Sequence, residues 1–145
     1  MLMRLILSLI VFGVFCFRGM TQEKIQWQFA YSKQSQAVEA KAIIASGWHL
    51  YSQFIEPGVG PVATQFQFER NKNVTLVGAV NEPDPIKHYD ETFGVELTYF
   101  EKSAIFSQKI TFTAPTLLSG SVVFMLCNDS MCLPPEEKQF TIELN

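Results

Sequence analysis

Between Lys24 and Tyr31 the apolar residues Ile25, Trp27, Phe29 and Tyr31 alternate with polar or small ones, the period-2 pattern of a half-buried strand. Ser35 to Ala45 carries Val38, Ala40 and Ala42 on one face before Ile43-Ile44. Its propensity allows a short helix, but its place between two β-runs favours a strand. Trp48 to Phe54 is rich in aromatics and ends in Glu56-Pro57-Gly58-Val59-Gly60-Pro61, where two glycines and two prolines in six residues predict a loop. Val62 to Phe68, Val74 to Val77, Val95 to Phe100, Ala104 to Phe112, Gly120 to Cys127 and Lys138 to Leu144 read as further strands. Asn81 to Gly94 contains Pro83 and Pro85, several acids and no clean period, so a long excursion is expected there, of the kind that tends to carry function. Nine short β-runs separated by turn signals, with no convincing amphipathic helix, predict an all-β antiparallel sandwich of immunoglobulin-like type.

The chain has 145 residues, one domain by length, but its first stretch has a different character. Arg4 precedes an apolar run from Leu5 to Phe17, too short to span a bilayer comfortably and better suited to an export signal over residues 1–20, with an uncleaved anchor as the alternative. Residues 21–145 then form the working domain. Cys16 falls in the signal, which leaves Cys127 and Cys132 as an even pair in an oxidising compartment. Counting out Arg4 and Arg18 changes 11 basic against 14 acidic residues to 9 against 14, a net charge of −5. An acidic domain without a basic run argues against nucleic acid or an anionic membrane surface as partner. Contact with a membrane is expected only through an uncleaved N-terminal segment.

The candidate chemistry lies in Gly120 to Pro135, where an apolar run ends in Cys127, four residues intervene, and Cys132 is followed by Leu133-Pro134-Pro135. The two thiols can close a disulfide only if the connection folds back, as it would if Val122 to Cys127 paired with Lys138 to Leu144. The prolines, lacking N–H groups, would keep Cys132 outside a regular ladder. Cross-linking so small a loop stabilises by only about 2 kcal/mol. A domain of this size does not need the bond in order to fold. A structural staple and a working redox couple both remain open at this point.

Trp27, Gly47-Trp48-His49-Leu50-Tyr51, Gly60-Pro61-Val62, Tyr89-Asp90-Glu91-Thr92-Phe93-Gly94 and Cys127-x4-Cys132-Leu133-Pro134-Pro135-Glu136 together resemble the periplasmic N-terminal domain family of DsbD, the bacterial thiol:disulfide interchange protein. The resemblance runs over nearly all of the chain after the signal. It implies an immunoglobulin-like sandwich that takes electrons from a thioredoxin-fold donor and passes them to periplasmic acceptors. Cys127 and Cys132 would be the redox pair, with Cys132 the residue that forms mixed disulfides. Asp90 and Glu91 would be acids beside the pair, and the loop around Phe93 a flap that shields it. His49 and Tyr51 fall where the pattern has two tyrosines. The chain departs from the pattern in three places: four residues instead of five between the cysteines, His49 for a tyrosine, and Thr92 where the shielding ring is expected, with Phe93 beside it.

Exchange proceeds by attack of a thiolate on a disulfide sulfur. Carboxylates at Asp90, Glu91 and Asp129 would disfavour the Cys127 and Cys132 thiolates and slow stray reactions. No cofactor and no metal is expected. Two other functions compete: an exported binding module with an inert disulfide, and a Cu(I) carrier using Met125, Cys127, Met131 and Cys132. Hydrolase motifs are absent.

Overall fold

The computed structural model describes residues 23–91 and 93–145. The expected signal over residues 1–20, Cys16 and Thr92 lie outside the described residues. Among the described residues eleven strands follow in order: β1 (Ile25–Ser32), β2 (Ala37–Ile44), β3 (His49–Tyr51), β4 (Gln65–Phe68), β5 (Val74–Asn81), β6 (Ile86–Asp90), β7 (Val95–Phe100), β8 (Ser103–Phe112), β9 (Thr116–Phe124), β10 (Leu126–Cys127) and β11 (Glu136–Leu144). All pairings are antiparallel. No described helix is long and apolar enough to cross a membrane.

One sheet has the order β1-β2-β8-β5, a second β10-β3-β7-β6, and a third β11-β9-β4. The first packs against the other two, which the chain joins by running from β9 into β10. Strand alternation builds this core directly. Ala40, Ala42 and Ile44 of β2 and Ala104 and Phe106 of β8 meet Leu50 of β3, Phe100 of β7, Val122 and Phe124 of β9 and Leu126 of β10. A second cluster joins Val38 and Ile110 to Leu118, Phe140, Ile142 and Leu144. Gly120 sits between β4 and β11, where a Cβ would come within 2.3 Å of the Gln67 carbonyl oxygen and 2.6 Å of Phe140 Cζ. Only glycine fits that close approach.

Two expectations are corrected. The stretch from Asn81 to Gly94 is not a structureless excursion, because Ile86–Asp90 is a strand paired with β7. It is an edge strand with four of its five residues exposed, so no alternation marks it, and Pro83 and Pro85 precede it without interrupting its ladder. Nor does Val122 to Cys127 pair with Lys138 to Leu144. Val122 does oppose Lys138, but from there Leu144 runs back to Thr116. Leu126 and Cys127 have left that sheet to oppose Leu50 and His49.

Candidate functional site

Cys127 and Cys132 are joined in a disulfide, with Cα atoms 4.0 Å apart. The connection does fold back, but within itself. The Leu133 N–H donates to the Leu126 carbonyl at 2.8 Å and the Asn128 N–H to the Met131 carbonyl at 2.9 Å, so 126/133 and 128/131 are rungs of a narrow hairpin. The cysteines form the close pair between those rungs, and Asp129-Ser130 makes the turn. Asn128 fixes it, since its Oδ1 accepts the N–H groups of Ser130 at 2.9 Å and Met131 at 2.8 Å, the self-bonding that suits asparagine to turns. Pro134 and Pro135 carry the chain on to β11.

The two sulfurs have unlike surroundings. Cys127 is 2 % exposed and packs with Tyr51, Ile55 and Leu97. Cys132 is exposed, as are Asp129, Ser130 and Met131 before it. The Cys127 cluster lies on the opposite face of the β10-β3-β7-β6 sheet from the main core, since Leu50, Phe100 and Leu126 point to the core and their strand neighbours point away.

Beside the hairpin a cleft of ≈ 660 Å³ is lined by His49 and Tyr51 of β3, Asp90 and Glu91 at the β6 turn, Tyr99, and Asn128 and Asp129 of the hairpin, among others. His49 stacks on Tyr99 with ring centroids 4.4 Å apart and sets Nε2 3.2 Å from Glu101 Oε1. Burial first, then the charges of Asp90 and Tyr99, push the Tyr51 phenol up to about 12. Burial, Glu101 and Asp129 also raise that of Tyr99. At neutral pH both phenols are neutral donors. The Asp90 carboxylate accepts the Phe93 N–H at 3.1 Å and its carbonyl the Gly94 N–H at 2.7 Å, which ties the β6–β7 turn. Gly94 takes φ 69° there, a conformation that favours glycine.

The structure thus gathers Asp90, Glu91, His49 and Tyr51 around one cleft next to the cysteine hairpin. Phe93 is not among the described residues that line it, and it keeps 38 % of its surface exposed. Tyr99, Glu101 and Asn128 also belong to the site, although nothing in the sequence motif singles them out. Strand register alone brings Tyr99 opposite Tyr51. Glu82 adds support from below: its carboxylate accepts the Ser52 hydroxyl and, at 2.9 Å, the Gln53 N–H, anchoring the chain just after Tyr51. Among the described residues no three His, Cys, Asp or Glu side chains are grouped as a metal site requires.

The family model described as "Thiol:disulfide interchange protein DsbD, N-terminal" matches residues 18–144. Among solved structures, the DsbD N-terminal domain of Neisseria meningitidis in its reduced form is similar with a TM-score of 0.62 and 16 % identity, covering 84 % of this chain and 86 % of that one. A chain from the complex between the DsbD N-terminal and PilB N-terminal domains of Neisseria meningitidis gives 0.62 at 14 % identity, over 83 % and 84 %. The N-terminal periplasmic domain of ScsB from Proteus mirabilis gives 0.52 at 18 %, over 83 % of this chain and 44 % of that one. At such identities the structural likeness is one of fold. No curated protein matches the chain.

Proposed function

The chain belongs to the family of DsbD N-terminal thiol:disulfide interchange domains, and on that premise we propose that it is a periplasmic electron relay whose exposed Cys132 meets the partner and whose buried Cys127 resolves. The observation that carries this reading is the unequal exposure of the two bonded cysteines, Cys127 being 2 % exposed and Cys132 open. A reduced thioredoxin-fold donor sends its thiolate to Cys132 Sγ, and the bond to Cys127 breaks with Cys127 as leaving group. The donor's second thiol then frees Cys132, leaving a dithiol here and a disulfide on the donor. The reverse sequence reduces an acceptor.

The DsbD N-terminal domain of Neisseria meningitidis forms a complex with a PilB N-terminal domain, which supports partners of protein size. Residues 1–20 act as the export signal in this reading and 21–145 as the relay. Asp90 and Glu91 guard the pair by keeping negative charge beside it, which disfavours stray thiolate chemistry, while Tyr51 packs against Cys127. Phe93, at the tip of the β6–β7 turn, is the ring available to close over the hairpin.

Trapping with a thioredoxin-fold partner tests this. Cys127→Ser is expected to accumulate a mixed disulfide through Cys132, and Cys132→Ser to form none. Equal trapping by both variants, or by neither, would falsify the assignment.

A further inference from the structure

The register across three strands aligns groups that no motif connects. Cys127 of β10 opposes His49 of β3. Leu50 opposes Phe100 and Tyr51 opposes Tyr99, so the next rung from His49 falls at Glu101, where the side chains do meet at 3.2 Å. A sulfur, an imidazole and a carboxylate therefore stand in one row on one face of the sheet. Directly opposed residues of an antiparallel pair hold their Cβ atoms about 4.5–5.5 Å apart. Nucleophile, base and a third group that orients the base is the order in which activated thiols are built.

We propose that His49, oriented by Glu101, takes up and returns the proton of Cys127 during exchange. The proposal rests on the relay reading and adds to it a catalytic residue, His49, and a positioning residue, Glu101. Cys127 is buried, so a thiolate leaving there has little water to stabilise it. When a partner thiolate attacks Cys132, the bond to Cys127 breaks and protonated His49 donates to the departing sulfur, leaving a thiol and a neutral imidazole. In the closing direction His49 accepts the Cys127 proton, the thiolate attacks Cys132 of the mixed disulfide, and the partner's sulfur leaves with the electron pair.

The other groups around the ring do not replace it. Tyr99 lies against the ring and Tyr51 two residues along, but both phenols are pushed upward and hold their protons at neutral pH. Asp129 of the hairpin and Asp90 and Glu91 at the β6 end line the same cleft as His49. His88 lies on β6, three strands from β10, a distance of about 14 Å at ~4.8 Å per strand. With Nε2 turned to Glu101 and the ring stacked on Tyr99, Nδ1 is the nitrogen available to Cys127. Histidine changes charge between about pH 5 and 8, so the proton shuttle adds a bend in that range to the steady rise with pH that thiolate formation alone gives ring closure. A tyrosine at position 49, as in the pattern the sequence resembles, has no such group.

Rapid mixing of the reduced protein with dithiobis(nitrobenzoate) separates the steps. The first nitrothiobenzoate is released by attack of Cys132, and the second by closure of Cys127 on the mixed disulfide, a unimolecular phase. The closing rate is expected to show a limb that levels off above the histidine range, where thiolate formation alone would keep it rising. His49→Gln is expected to lose that limb and close at least about tenfold more slowly at neutral pH, with the first phase changed less than about twofold. Glu101→Ala keeps the limb but closes about threefold more slowly or worse, because the ring loses its orientation. His49→Tyr serves as a second variant should His49→Gln fail to fold, and it also lacks the limb. An identical pH profile with and without the imidazole overturns the proposal, and an unchanged rate in Glu101→Ala removes Glu101 from it. If the wild-type protein closes but exchanges with no thioredoxin-fold protein, it is the relay that fails and not the proton shuttle.

Discussion

Tyr51 is 3 % exposed, and its phenol has risen from 10.0 to about 12 through burial, Asp90 and Tyr99. A raised value means that the native state keeps the proton where the unfolded chain has lost it. The associated stability is therefore complete below the unfolded value and is lost as pH climbs from 10 towards 12, a fall of about 2–3 kcal/mol. Tyr51→Phe is expected to remove that part of the alkaline decline, so that the urea midpoint of the variant gains on that of wild type as pH rises through the window. A parallel offset at every pH would contradict this. At this scale the disulfide pair was legible from sequence, because two cysteines followed by Leu-Pro-Pro form a local signature. Tyr99 and Glu101 were not. Their part in the site depends on which rungs β3 and β7 share, a non-local choice that local spacing does not contain.

The elements show the same division. Strands with one buried face, such as β1, β2 and β8, announced themselves by alternation, and Val95–Phe100 has the bounds its pattern predicts. β6 escaped because it is an exposed edge, and the departure of β10 from β9 escaped because Val122 to Cys127 reads as one apolar run. The hairpin of residues 126–133 was legible only as a need for the chain to fold back. Its rungs are main-chain bonds that do not depend on the sulfur–sulfur bond, so the thiols stay close after reduction, which favours reclosure by proximity. Asn128 is the hinge of that effect, accepting two N–H groups. Asn128→Ala is expected to slow unimolecular closure about three- to tenfold while leaving the rate of attack by Cys132 nearly unchanged. A change confined to the attack rate would count against it.

For the whole molecule, the three buried clusters carry the fold, and the disulfide closes a loop too small to add more than about 2 kcal/mol. Reduction is accordingly expected to lower Tm by no more than about 10 °C and to leave the β-sheet circular dichroism in place. Unfolding on reduction would mark the bond as a staple. The sandwich itself was predictable from the run of short strands, whereas its division into three sheets was not, since that follows from where the chain passes from one sheet to its neighbour in the same layer after Phe124.

Because the sulfur-bearing strand is two residues long, with β3 on one side and the hairpin's own return arm on the other, its outer turn lies off the scaffold's framework. Lineages are then free to lengthen or shorten that turn without re-registering a single buried strand. A glycine inserted between Asp129 and Ser130 would recreate a spacing of five on an unchanged body, and the tempo of electron delivery can drift among relatives while the architecture that delivers them is inherited intact.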